Sequence, residues 1–152
     1  YEIAAEAGLG CTVHAGEADG PSSVRDAISL LPVTRLGHGV RAIEDKDLVA
    51  EIADRNIVLE ICLNSNLHTG VYDSFADHPF PDLKEAGCRV TLNSDDPPFF
   101  FSRIGKEYAD AAVHFDMDEA ALTDITRTAI EASFVDDGTK TDLLSEIDSK
   151  RQ

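Results

Sequence analysis

Four short apolar runs divide this chain, and each one stops abruptly at polar or ionisable residues. Gly10 to His14, Val33 to His38, Ile57 to Cys62 and Cys88 to Asn93 read as strands. Their continuously apolar character suits parallel strands covered on both faces. Amphipathic stretches lie between them. Pro21 to Leu31 reads as a helix, with Pro at its first position and Ser22 and Ser23 near its cap. Glu44 to Arg55 places Leu48, Val49, Ile52 and Ala53 on one face and acidic residues in its first turn. Tyr1 to Gly8 reads as the last turns of a helix stopped by Gly8. A long loop from Leu63 to Pro81 leads into a short helix, Pro81 to Ala86, ended by Gly87. The remainder is helical: Ser102 to Val113, Met117 to Ser133 with Asp118 or Thr123 as cap, and Lys140 to Lys150.

This alternation predicts an α/β fold with a parallel sheet and right-handed crossovers. No low-complexity or linker stretch interrupts residues 1–152, so they read as one partial domain of four β/α units. An open parallel sheet of four strands leaves edges and core side chains uncovered. The expectation is that residues precede Tyr1, or that the chain associates with itself. No Gly-x-Gly-x-x-Gly or Walker-type loop follows any strand, which argues against nucleotide binding in a doubly wound sheet.

Composition narrows the picture. At 43% apolar residues the chain can build a core. Acidic residues outnumber basic ones by 29 to 13, and a net charge of −16 argues against nucleic-acid partners. No run of about 18 apolar residues predicts a membrane span, and the N-terminus lacks the basic start of a secretion signal. Cys11, Cys62 and Cys88 are widely spaced and odd in number. They read as free core thiols in a reducing compartment, and hence as cytoplasmic.

The ionisable residues collect at the carboxyl ends of the strands, where parallel α/β sheets place their chemistry. His14 and Glu17 follow the first strand, His38 ends the second, Glu60 lies in the third, and Asp95 and Asp96 follow the fourth. A neutral imidazole is a good zinc ligand, and a carboxylate beside it moves protons. The alternative for His14 and Glu17 is a buried His beside a capping Glu. Gly37 and Gly39 flank His38 and allow close approach, although a turn His remains the alternative. Asp95 and Asp96 repel each other unless a cation or donor separates them, or they are an exposed turn that caps a helix. Glu60 either orients His38 from behind or points to solvent.

Together these segments resemble the adenosine deaminase family of metal-dependent amidohydrolases. His14-Ala15-Gly16-Glu17 is similar to its His-Ala-Gly-Glu. Arg35-Leu36-Gly37-His38-Gly39 resembles Arg-[Ile/Val/Leu]-Gly-His-Gly. Leu59-Glu60-Ile61-Cys62 resembles Leu-Glu-Val-Cys-Pro, with Leu63 where many members have proline. Leu92-Asn93-Ser94-Asp95-Asp96-Pro97 is similar to Leu-Asn-[Ser/Thr]-Asp-Asp-Pro. The resemblance implies the C-terminal half of a (β/α)8 TIM barrel and hydrolytic deamination of adenosine at C6 of the purine. The alternatives are deamination of adenine or another 6-aminopurine, or a catalytically incomplete half-barrel.

It also implies Zn2+, held by His14 and Asp95. Glu17 is then the proton donor to ring N1, and His38 helps activate the attacking water. Asp96 accepts a hydrogen bond from the purine at N7. The family's first-strand His-x-His is absent from this sequence and would lie before Tyr1. The implied partners are a purine nucleoside or base and, for the fold, a missing N-terminal half.

Overall fold

The structure, a computed structural model, describes residues 1–149. After α1 (Glu2–Glu6) come β1 (Thr12–Ala15), α2 (Pro21–Leu30), β2 (Arg35–His38), a 3-10 turn (Val40–Glu44), α3 (Lys46–Asp54) and β3 (Val58–Ile61). Then come α4 (Leu63–His68), a second 3-10 turn (Phe75–Asp77), α5 (Phe80–Glu85) and β4 (Arg89–Leu92). The chain continues with α6 (Pro97–Phe100), α7 (Ile104–His114), α8 (Glu119–Ala132) and α9 (Asp137–Ser149). Lys150, the last residue of the expected final helix, lies outside the described residues.

All four expected strands form, and they pair in parallel in chain order, β1-β2-β3-β4. Leu36, Leu59, Ile61, Val90 and Leu92 are buried to 3% exposure or less under the helices. Each such side chain contributes about 1.5–3 kcal/mol through the water it loses. The register sets His14 opposite Gly37, Gly37 opposite Glu60, and Glu60 opposite Thr91. Parallel partners share a face, so this row gathers the polar positions on the side of the sheet away from the apolar row.

Local chemistry explains the boundaries. Pro21 opens α2, and the Ser23 hydroxyl donates back to the Gly20 carbonyl at 2.8 Å. The third helix starts two residues later than expected, because Asp45 caps it by accepting from the amides of Asp47 and Leu48, both at 3.1 Å. Such a cap is worth about 1 kcal/mol. Asp118 caps α8 through the Ala121 amide at 2.8 Å.

The largest departure is the stretch expected to be a long loop. It holds α4 and a 3-10 turn, and Leu63 opens α4 instead of leading into coil. The polar run Asn64-Ser65-Asn66 is fully buried there. It lacks apolar periodicity because hydrogen bonds to other elements, not apolar packing, hold it in place.

Candidate metal-dependent active site

The turns that follow the four strands meet at the carboxyl edge of the sheet. The first is held from below: the Gly16 amide donates to Ser23 Oγ at 2.9 Å, and the Arg41 amide donates to the Gly16 carbonyl at 2.9 Å. This turn projects His14 outward and brings Glu17 back alongside it, with Nδ1 and Oε2 3.9 Å apart. Gly37 makes room for the imidazole, since a Cβ there would sit 2.7 Å from His14 Cδ2.

At the end of β2 the backbone enters the left-handed region twice in succession, at His38 (φ 62) and Gly39 (φ 68). A left-handed conformation is strained for a residue with a Cβ and tends to mark functional sites. It turns the His38 ring into the protein, where it is 1% exposed. The two imidazoles meet edge to face, with centroids 4.9 Å apart. His38 Nε2 lies 3.4 Å from Glu17 Oε2 and 3.7 Å from Asp95 Oδ2. Burial pushes the His38 pKa down, Glu17 and Asp95 oppose the fall, and His14 adds to it.

Asp95 is also left-handed (φ 54), and it accepts a 2.6 Å hydrogen bond from Ser65 Oγ. Asp96 is exposed at the N-cap position of α6, and its side chain makes no capping hydrogen bond there. Glu60 does not touch His38. It accepts from Thr12 Oγ1 at 2.7 Å and pairs with Arg35 Nε at 3.2 Å, and the Arg35 guanidinium lies 3.7 Å over the Phe134 ring. The support expected from Glu60 comes instead from Asn66, whose Nδ2 lies 3.2 Å from His38 Nδ1.

Among the described residues two donor groups are close enough to hold a metal ion: His14, Glu17 and His38, and His38, Cys62 and Asp95, each with ligand atoms within 4.8 Å of one another. Burial holds the Cys62 thiol far above its ordinary pKa, and a protonated thiol is a poor ligand. The usable donors are therefore imidazole and carboxylate, a set that suits zinc.

The adenosine deaminase family model matches residues 1–150. The chain belongs to the adenosine deaminase family. Within it, the chain is 58% identical over 147 residues to an adenine deaminase of Mesorhizobium japonicum, covering 97% of this chain and 45% of that protein. Among solved structures it resembles the adenine deaminase of Arthrobacter aurescens, with TM-score 0.93 and 33% identity over 98% of this chain and 46% of the other. A zinc-bound amidohydrolase of Burkholderia ambifaria follows at TM-score 0.89 and 27% identity, over 99% and 42%. The chain thus spans about half the length of the relatives it matches. Its parallel sheet and helices correspond to half of an amidohydrolase barrel.

Ser65, Asn66 and His78 are the site residues that the sequence reading missed. The one available signal was a run of short polar residues directly after an apolar strand. Polar groups in that position must find buried partners. No described helix is long and apolar enough to cross a membrane.

Proposed function

We propose that this protein is a zinc-dependent deaminase that removes the exocyclic amine of adenine. One observation carries the proposal: the carboxylates of Glu17 and Asp95 converge on the same nitrogen of a buried His38, beside the His14 ring. Adenine is favoured over adenosine because the relative at 58% identity and the solved structure from Arthrobacter aurescens are both named for adenine. The resemblance read from motifs alone pointed first to adenosine, and those names favour the alternative it carried.

In this reading His14 and Asp95 hold the zinc. Zinc supplies a Lewis acid that makes water nucleophilic near neutral pH. His38 offers a hydrogen bond to the attacking oxygen. Glu17, 3.4 Å from His38 Nε2, takes up the proton that the attacking water gives up and delivers it to ring N1 as C6 is attacked. Asp96, exposed next to Asp95, binds the purine at N7 in this reading. The cleft beside Glu17 is bounded by Ala18, Arg41, Thr69 and Val71. The edge strands of the sheet, β1 and β4, accept further strands of the barrel in this proposal.

Zinc analysis of the full chain, with ammonia release measured from adenine and from adenosine, tests the proposal. Bound zinc and a higher kcat/KM for adenine are expected. Preference for adenosine would overturn the substrate, and failure to deaminate either purine with zinc bound would overturn the activity. Stoichiometric zinc with turnover by residues 1–152 alone would reject the reading of this chain as a catalytically incomplete half-barrel.

A further inference from the structure

Behind the site runs a line of hydrogen bonds that the mechanism above does not use. It begins at the Phe80 amide, one of the first N–H groups of α5, which have no acceptor within their own helix. That amide lies 3.1 Å from His78 Nδ1. His78 Nε2 lies 3.1 Å from Asn66 Oδ1, and Asn66 Nδ2 lies 3.2 Å from His38 Nδ1. All three side chains are buried: His78 at 3% exposure, Asn66 at 0% and His38 at 1%.

The direction of every proton in this line follows from its first member. A backbone N–H can only donate, so His78 Nδ1 keeps its lone pair. Burial pushes the pKa of His78 down to about 4, so near neutral pH the ring carries one proton, and that proton is on Nε2. His78 Nε2 therefore donates to Asn66, which must present its carbonyl oxygen to His78 and its NH2 to His38. An amide cannot turn over here without setting donor against donor. The Asn66 NH2 then donates to His38 Nδ1, which must keep its own lone pair. The single proton of neutral His38 is left on Nε2, the nitrogen that faces Glu17 and Asp95.

We propose that Asn66 and His78 are positioning residues that lock His38 as its Nε2–H tautomer, with that N–H directed between Glu17 and Asp95. The proposal rests on the reading of His38 as a catalytic residue. It has two consequences for the site. His38 Nε2 has no lone pair for a metal, so His38 stays out of the ligand set even though its donor atom lies among those of His14, Glu17 and Asp95. And His38 meets the attacking oxygen as a hydrogen-bond donor whose orientation is set before substrate arrives, which removes a reorganisation step from the reaction. Ring nitrogens that face functional groups are commonly fixed in this way by the bond made at the other nitrogen.

The test is the position of the protons. In the zinc-loaded full chain with 15N-labelled histidine, long-range 1H–15N spectra distinguish a bare ring nitrogen from a protonated one. A His38→Gln variant assigns the His38 signals. A bare Nδ1 and a protonated Nε2 are expected for both His38 and His78. A proton on His38 Nδ1 in the unmodified protein would overturn the proposal.

In Asn66→Asp a carboxylate replaces the amide and only accepts, so the proton should appear on His38 Nδ1, and kcat should fall at least about 100-fold with little change in KM. A His38 that keeps Nδ1 bare in this variant would also overturn the proposal. Should Asn66→Asp fail to fold, the pair His78→Gln and His78→Leu decides. Gln offers an N–H to Asn66 and should keep the tautomer and most of kcat, while Leu offers none and should lose both. A merely structural role for His78 predicts the reverse order, since Leu suits a buried apolar site better. These spectra do not depend on turnover. A protein that shows the tautomer but deaminates no purine would reject the proposed function and leave the positioning inference intact.

Discussion

Glu17 and Asp95 bring the same functional group to the same imidazole nitrogen, at 3.4 and 3.7 Å, and they are held in opposite ways. The Asp95 carboxylate is tied to Ser65 at 2.6 Å, on a backbone bent into the left-handed region. The Glu17 backbone is stapled through Gly16, but its carboxylate has only two imidazoles as ion-pair partners among the described residues, and neither is closer than 3.4 Å. The difference follows the two roles proposed. A metal ligand gains affinity from a fixed orientation. A proton carrier has to reach one atom and then another, and rigid bonds would hinder it. The contrast therefore separates two acidic residues that residue type and distance leave equivalent.

The sharpest way to break this contrast is to exchange the expected losses. Asp95→Ala is expected to abolish zinc binding and activity together, as read by metal analysis of the purified protein. Full zinc content in that variant would remove Asp95 from the ligand set. Glu17→Gln is expected to keep its zinc and lose about 10²- to 10⁴-fold in kcat, the usual contribution of a general acid or base.

The braced side of the site has an acid limit of its own. The folded His78 has its pKa lowered to about 4, below the ordinary histidine value of 6.5. The unfolded chain therefore takes up this proton first as pH falls. Stability is complete above about pH 6.5, declines through the window down to about pH 4, and loses about 3 kcal/mol in all. Denaturant titrations at pH 7 and pH 4.5 should show this loss reduced in His78→Gln. An equal pH dependence in the two proteins would dissociate His78 from it. The smallest expected effect is that of Ser65→Ala, which leaves Asp95 in place without its donor. Zinc affinity should fall about 10- to 100-fold, measured by competition with a chelator.

How much of this was legible in the sequence depended on what holds each residue. All four strands could be read because each is an apolar run buried by the helices around it. The positions of His14, Glu17, His38 and Asp95, which the fold brings together, could be read because they stand at the ends of those runs at one edge of the sheet. The start of α4 could not. Asn64, Ser65 and Asn66 have no apolar stripe, and their burial is sustained by partners far along the chain. Asn64 donates from Nδ2 to Glu107 at 2.9 Å and accepts from Lys106 at 2.7 Å. No local pattern encodes such bonds.

His78 was passed over for the same reason, because a lone His in a loop gives no hint of which way it faces. Glu60 failed in the opposite sense. Its place in a strand suggested support for His38, but pairing sets it opposite Gly37 and within reach of Thr12 and Arg35.

The order of the sheet has a consequence for how the molecule comes together. Its strands pair in the order in which they are synthesised, Thr12 with Arg35, Arg35 with Val58 and Val58 with Arg89, so each new strand adds to an edge that already exists. Contacts made between near neighbours in sequence form early and at low entropic cost. Asp95 lies beyond β4, the last strand of the sheet, and His78 docks just ahead of it. Until β4 is in place His14 lacks Asp95, its proposed fellow ligand, so the site cannot grip a metal during the early stages of folding. Zinc uptake should thus time the docking of the fourth strand, which makes the metal a clock for that step.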